Sequence, residues 1–213
     1  MKPTLIGGLE GETPVMRTST LNRTAAERRA HLMRELVEVL LFVGIVFAAV
    51  SVTQSFGTVD SSMAPALQVD QRVLVNKAAY ILSGPGRGDV VLVADPQNPS
   101  QLLMRRVIAV PGDTILITAT TVTVNGVTLD EHAYTGIATG QPESQIIGKY
   151  TLAQDQYWVM ADARLAASNT DSRGFGAVSR ANIVGRAEFV YWPLHDFHWI
   201  DGHPDVFSSV PNH

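Results

Sequence analysis

The sequence predicts a mainly β fold, an antiparallel barrel or folded sheet, preceded by one membrane-spanning helix. Three observations lead there. From Val39 to Val50 every residue is apolar apart from Gly44. After Phe56 the chain breaks into short β-branched runs separated by turn residues, the pattern of an antiparallel all-β architecture. Within TVTVNGVTL (121–129), Asn125-Gly126 sits between alternating apolar residues, a strong short-range hairpin signal.

Bulk composition sets the limits. A chain of 213 residues suits one domain with an anchor, and 46% apolar content with 17% charge describes a core-forming chain. The net charge of −4 speaks against a nucleic-acid partner, which attracts dense Lys/Arg surfaces. Without cysteine there is no disulfide, no thiolate nucleophile and no Cys-ligated metal.

Residues 1–25 carry Thr, Gly, Pro and Arg with no apolar period and predict a mobile tail. Helix is expected from Thr24 through a run of good helix formers. Three readings compete for the apolar stretch that follows. A buried soluble helix should show a polar face, and residues 39–50 show none. A cleaved signal peptide has a short basic n-region, whereas 38 residues precede this stretch. A signal-anchor over 36–56 supplies about 20 residues, the length a hydrocarbon core requires, with Glu35 and Glu38 at one interface and Gln54 and Ser55 at the other. Arg23, Arg28, Arg29 and Arg34 precede it and only Arg72 follows at comparable distance, which puts the N-terminus in the cytoplasm. The expected division is a cytoplasmic tail and helix start (1–35), an anchor in the lipid bilayer (36–56) and an extracytoplasmic β domain (57–192). Within that domain 114–150 forms an inserted hairpin region, and 193–213 is a surface tail.

Strands are predicted at RVLVN (72–76), DVVLV (89–93), RRVIAV (105–110), TILIT (114–118), YWVMA (157–161) and IVGRAEFVYW (183–192), with a Pro111-Gly112 turn. The Arg-Gly-Asp of GPGRGDV (84–90) reads as a strand-entry turn; a strand follows it, not the helix that a phosphate loop needs. His195, His198 and His203 lack zinc-type spacing, so no metal and no cofactor is expected.

The chemistry concentrates on TVDSSMAPAL (58–67). Ser62 is followed by Met63, with Pro65 two residues further on, just after the apolar run. Together with RVLVNK (72–77), RGDVVLV (87–93), RRVIAVPGD (105–113), YWVMAD (157–162) and DSRGFG (171–176), this order of motifs resembles the bacterial type I signal peptidases over residues 35–192. The resemblance implies a β catalytic domain in which Ser62 is the nucleophile and a neutral lysine takes its proton. It implies an oxyanion held by the Ser62 backbone N–H with help from position 60. Met63 and Pro65 belong to the substrate side of the site. The substrates implied are signal peptides of exported preproteins, bound extended and cut after small residues, Ala-x-Ala.

Several positions depart from that pattern. The general-base lysine corresponds to Arg105, and a guanidinium stays protonated in any ordinary site. At the oxyanion-assisting position, usually Ser or Gly, stands Asp60, an acceptor-only anion. The serine that orients the lysine corresponds to Asn169, while Asp171, Ser172 and Arg173 match. No substitute base is evident: Lys77, Lys149 and the outer histidines fall elsewhere, and Asp60 is too weak. The paired changes lead us to expect an Asp60–Arg105 ion pair, against the alternative that both face solvent. The working function is signal-peptide cleavage. The alternative is a paralogue that binds extended peptides or partner proteins without cutting, with an active peptidase paralogue as a candidate partner.

Overall fold

A computed structural model describes residues 25–135, 146–164 and 170–212. The expected tail up to residue 24 and Asn169 lie outside the described residues. The chain divides into two units, one reaching Phe47 and the other covering Ala48–His213.

Helix α1 runs from Ala25 to Ser51, 27 residues. Among the described residues no helix is long and apolar enough to cross a membrane. The reason lies at both ends of the expected span. Arg34, Glu35 and Glu38 occupy the first half, leaving Val39–Val50, about 18 Å of helix against a hydrocarbon core of about 30 Å. At the far end, residues counted toward the anchor form strand β1 (Thr53–Gly57), paired antiparallel with β2 (Arg72–Asn76) through Gln54↔Val75 and Phe56↔Val73. Thr53, Gln54 and Ser55 have polar groups that a sheet edge accommodates and a lipid core does not.

The β unit contains β3 (Val90–Ala94), β4 (Leu102–Ala109), β5 (Thr114–Thr118), β6 (Val122–Val124), β7 (Val127–Thr128), β8 (Ile146–Thr151), β9 (Gln156–Met160), β10 (Val178–Ser179), β11 (Ile183–Trp192) and β12 (His198–Trp199). The remaining helices, α2 (His132–Thr135), α3 (Ser172–Phe175) and α4 (Pro204–Phe207), are single turns. One eight-stranded sheet has the order β1-β2-β11-β3-β4-β9-β10, with β12 beside β11; a four-stranded sheet has the order β7-β6-β5-β8. All described pairings are antiparallel. In the smaller sheet Asn125 (φ 50°) with Gly126 (φ 84°) turns the β6–β7 hairpin in the left-handed region that this turn requires.

Two details of the β unit bear on the site. Strand β4 pairs with β3 from Leu102 to Arg106, but with β9 only from Arg106 onward. One edge of Leu102–Arg105 therefore has no strand partner among the described residues. Beneath the adjoining sheet, Met63, Leu67, Val73, Val75, Leu92 and Met104 form one core cluster, which fixes the segment carrying Ser62.

The segment 193–213 is not a surface tail. Strand β12 pairs with β11 through Phe189↔Trp199. Val206, Phe207 and Val210 are buried in the cluster that holds Ile115 and Trp158. Arg87 donates to the Pro211 carbonyl and to Asn212. Short turns present these apolar side chains without any regular period, so the sequence pattern hides them. The Arg-Gly-Asp turn is internal as well: Arg87 pairs with buried Asp113 at 2.6 Å, and Asp89 accepts from Tyr80 Oη.

Candidate functional site

Ser62 follows β1 on a turn in which Ala64 N–H donates to the Ser61 carbonyl and Leu67 N–H to that of Met63. Met63 and Leu67 anchor this turn in the core, and the Ser62 carbonyl accepts from Ala163 N–H at 2.9 Å. Ser62 is 7% exposed and sits beside a cavity of about 100 Å³. The cavity walls come from the end of β1 and from β4, with Phe56, Val59, Asp60, Leu103, Met104 and Arg105 among the lining residues.

Arg105 lies on β4 opposite Val91 of β3, so the strand register aims its side chain at the serine. Its Nη1 donates to Ser62 Oγ at 2.9 Å and also to the Met104 carbonyl. Its Nε donates to the Thr170 carbonyl and its Nη2 to Thr170 Oγ1, each at 2.9 Å. Arg105 is 1% exposed. Burial draws the guanidinium below its ordinary value, while the charges of Asp171 and Asp60 oppose that shift.

Asp60 does not face Arg105. Its Oδ1 accepts from the Ser62 backbone N–H at 2.9 Å. The expected contact ion pair does not form; both side chains bind Ser62 instead and sense each other's charge without touching. The physical reason is supply of partners: the planar guanidinium finds acceptors in Thr170 and Met104, and the carboxylate finds an amide closer at hand. Burial pushes the Asp60 carboxyl up, but hydrogen bonds from the Ser62 hydroxyl and N–H, together with the Arg105 charge, hold it below the usual carboxylate range.

The supporting residues form a rigid corner. Asp171 is fully buried and caps α3 by accepting from Arg173 N–H; it also accepts from Ala161 N–H and from the Arg173 guanidinium, at 2.7 Å from Nη2. Ser172 Oγ accepts from Val159 N–H at 2.9 Å. Arg173 Nη1 donates to the Arg164 carbonyl at 2.7 Å. This corner ties α3 to β9 and sets the position of Thr170. Met63 lines the Ser62 cavity; Pro65 does not, and lines a second cleft with Tyr134, His198 and Trp199.

Sequence reasoning missed Thr170 and Ala163. Thr170 supplies two of the acceptors that hold Arg105, and the only available signal was a hydroxyl residue directly before the Asp171 motif. Ala163 acts through its backbone, which no side-chain pattern reports.

Chemically, a hydroxyl in this arrangement has a permanent donor on its oxygen and no neutral base: among the described residues, no lysine or histidine nitrogen bonds Ser62 Oγ. The amide that would stabilise a developing oxyanion is occupied by a carboxylate.

The family model described as "Signal peptidase, peptidase S26" matches residues 29–192. A signal peptidase I of Leptolyngbya laminosa is 34% identical over 140 residues, covering 62% of this chain and 66% of that protein. A probable signal peptidase I-2 of Synechocystis is 32% identical over 139 residues, covering 63% and 61%. The match thus spans less than two thirds of the length of these two relatives. A signal peptidase IB of Staphylococcus aureus is 29% identical over 189 residues, covering 78% of this chain and 94% of that protein. A solved signal peptidase I structure from Enterococcus faecalis aligns at 27% identity and a TM-score of 0.39, covering 49% of this chain and 97% of that one. With the model matched over well more than half of its residues, the chain belongs to the signal peptidase family, peptidase S26.

Proposed function

We propose that this protein binds the extended cleavage region of signal peptides of exported preproteins and, in the arrangement described, holds the peptide without cutting it. The single observation that carries the reading is the pair of hydrogen bonds on Ser62: Arg105 Nη1 donating to its hydroxyl and Asp60 accepting from its N–H. A serine hydroxyl attacks a carbonyl only when a base removes its proton; a guanidinium has no site for that proton, and the Asp60 carboxylate, held below its usual range, is too weak to take it. Binding itself is supported by the edge of Leu102–Arg105 that has no strand partner among the described residues, on which a peptide can add as a strand, and by the cavity beside it, which has room for small side chains.

Family membership favours a second reading, cleavage after small residues, since the relatives compared above are named signal peptidases. Both readings hold the protein at a membrane through the apolar part of α1. Leu40, Phe42 and Ile45 on α1 are exposed and need an apolar surrounding.

The test is incubation of the detergent-purified chain with a fluorescent peptide carrying an Ala-x-Ala site. The expected outcome is saturable binding with the peptide recovered intact. Peptide cleavage that Ser62→Ala abolishes would establish the second reading instead.

A further inference from the structure

Four of the arginines withdrawn from solvent make contact with carboxylates, whereas part-buried Arg180 rests on the Ile183 and Tyr80 carbonyls. Arg87 contacts Asp113, Arg106 contacts Asp162, Arg164 contacts Glu131 and Arg173 contacts Asp171. Arg105 is as buried as any of them and has no carboxylate in contact among the described residues; its described partners are two carbonyls and two hydroxyls. A desolvated cation without a contacting anion is costly, and the natural occupant of the space beside it is an anion that arrives with a ligand.

Asp60 shows what that anion is. Its carboxylate already rests on the Ser62 N–H, beside the hydroxyl that Arg105 holds. Asp60 is a surface residue, so its side chain has solvent to turn into when another carboxylate takes the amide. An extended peptide lying along the unpaired edge of Leu102–Met104 would bring its own end to this point. The cavity of about 100 Å³ lies next to that end and has room for a small side chain.

We infer that the site takes the free α-carboxylate of a peptide ending in a small residue, with Arg105 and the Ser62 N–H and hydroxyl as the carboxylate receptor. The inference rests on the peptide-binding reading and names its ligand class. Such peptides have no chain continuing past Ser62. They are released by endoproteolysis after a small residue, so an active peptidase acts upstream and this protein receives the amino-side product. Asp60 serves as a built-in competitor that covers the receptor when it is empty.

The experiment compares two synthetic peptides, each ending Ala-Leu-Ala, one with a free carboxylate and one amidated, by fluorescence anisotropy on the unmodified full chain in detergent. The carboxylate form should bind at least about tenfold tighter, the ratio for exchanging a charge-assisted for a neutral hydrogen bond. Asp60→Asn should tighten the carboxylate form and leave the amide unchanged. Arg105→Gln should remove the discrimination. Because that variant disturbs a buried position, the comparison on the unmodified chain decides by itself. Equal binding of the two peptides would overturn the receptor and leave peptide binding standing; binding of neither would overturn both.

Discussion

Consider giving Ser62 a lysine base and a free oxyanion amide by changing Arg105 and Asp60, the two residues that the binding reading holds responsible for blocking cleavage. Arg105→Lys puts an amine on the same buried strand position, where lost hydration lowers its pKa toward neutrality. Asp60→Ser frees the Ser62 N–H from the carboxylate now 2.9 Å away and returns it to oxyanion duty. A positioned general base contributes about 100- to 10,000-fold, and an oxyanion donor about 100- to 1,000-fold. Arg105→Lys alone should therefore trail the double variant by about 100- to 1,000-fold, and Asp60→Ser alone by about 100- to 10,000-fold. The assay is chromatographic product formation from an Ala-x-Ala reporter in detergent, with the corresponding Ser62→Ala proteins as blanks. Melting curves and reporter binding check that each variant is folded. The double variant's rate should also rise with pH as the amine loses its proton. Two results refute the reasoning. One is Ser62-dependent cleavage by the unmodified chain within tenfold of the double variant. The other is a folded, peptide-binding double variant that does not cut.

Asp162→Ala strands a fully buried Arg106 and should cost about 3–5 kcal/mol in thermal or urea unfolding, whereas Arg106→Met with Asp162→Leu should recover most of it. Burial pushes the Asp113 carboxyl up, but Arg87, the Val110 N–H and Asn125 hold it below the usual carboxylate range. Its stabilising contribution is therefore full above its unfolded value of about 3.9 and is lost as pH falls through the lower folded value; the melting-temperature gap between unmodified protein and Asp113→Asn should shrink in acid. Phe207→Ala should cost about 3–5 kcal/mol, a melting-temperature loss of about 6–20 °C, which a surface tail would not show.

The strands were legible because β-branched runs and turn residues act locally: 72–76 and 183–192 match β2 and β11 residue for residue. The expected anchor runs too far because it counts the mixed segment Ser51–Phe56 to reach the length of a span, whereas the backbone of Thr53–Gly57 pairs with β2, a partner about 20 residues away. The C-terminal packing was invisible because Val206, Phe207 and Val210 lie on single turns with no period to count. At the site, residue identity flagged Ser62, Asp60 and Arg105 but misjudged how they connect. Asp60 and Arg105 were expected to pair because opposite charges near one carbonyl attract. Which acceptors a guanidinium reaches depends on the Thr170 backbone, and that is a property of the α3 corner.

The two neighbouring arginines of β4 show why Arg105 is better read as a receptor than as a core strut. Successive side chains on a strand face opposite sides, so one strand delivers both guanidinia under the same backbone constraints. Arg106 is neutralised in place: Asp162 takes Nε and Nη2, the Gly88 and Asp201 carbonyls take Nη1, and the Tyr134 ring lies 4.7 Å from its centre. That is how this fold completes a structural cation. Arg105, one residue earlier and also buried, contacts no anion among the described residues and lines the cavity beside a strand edge that has no described partner. If its purpose were only to hold β4 to α3, a carboxylate at position 170 would do for it what Asp162 does for Arg106. Thr170 offers only neutral oxygens and leaves the guanidinium without a contacting anion beside the Ser62 cavity.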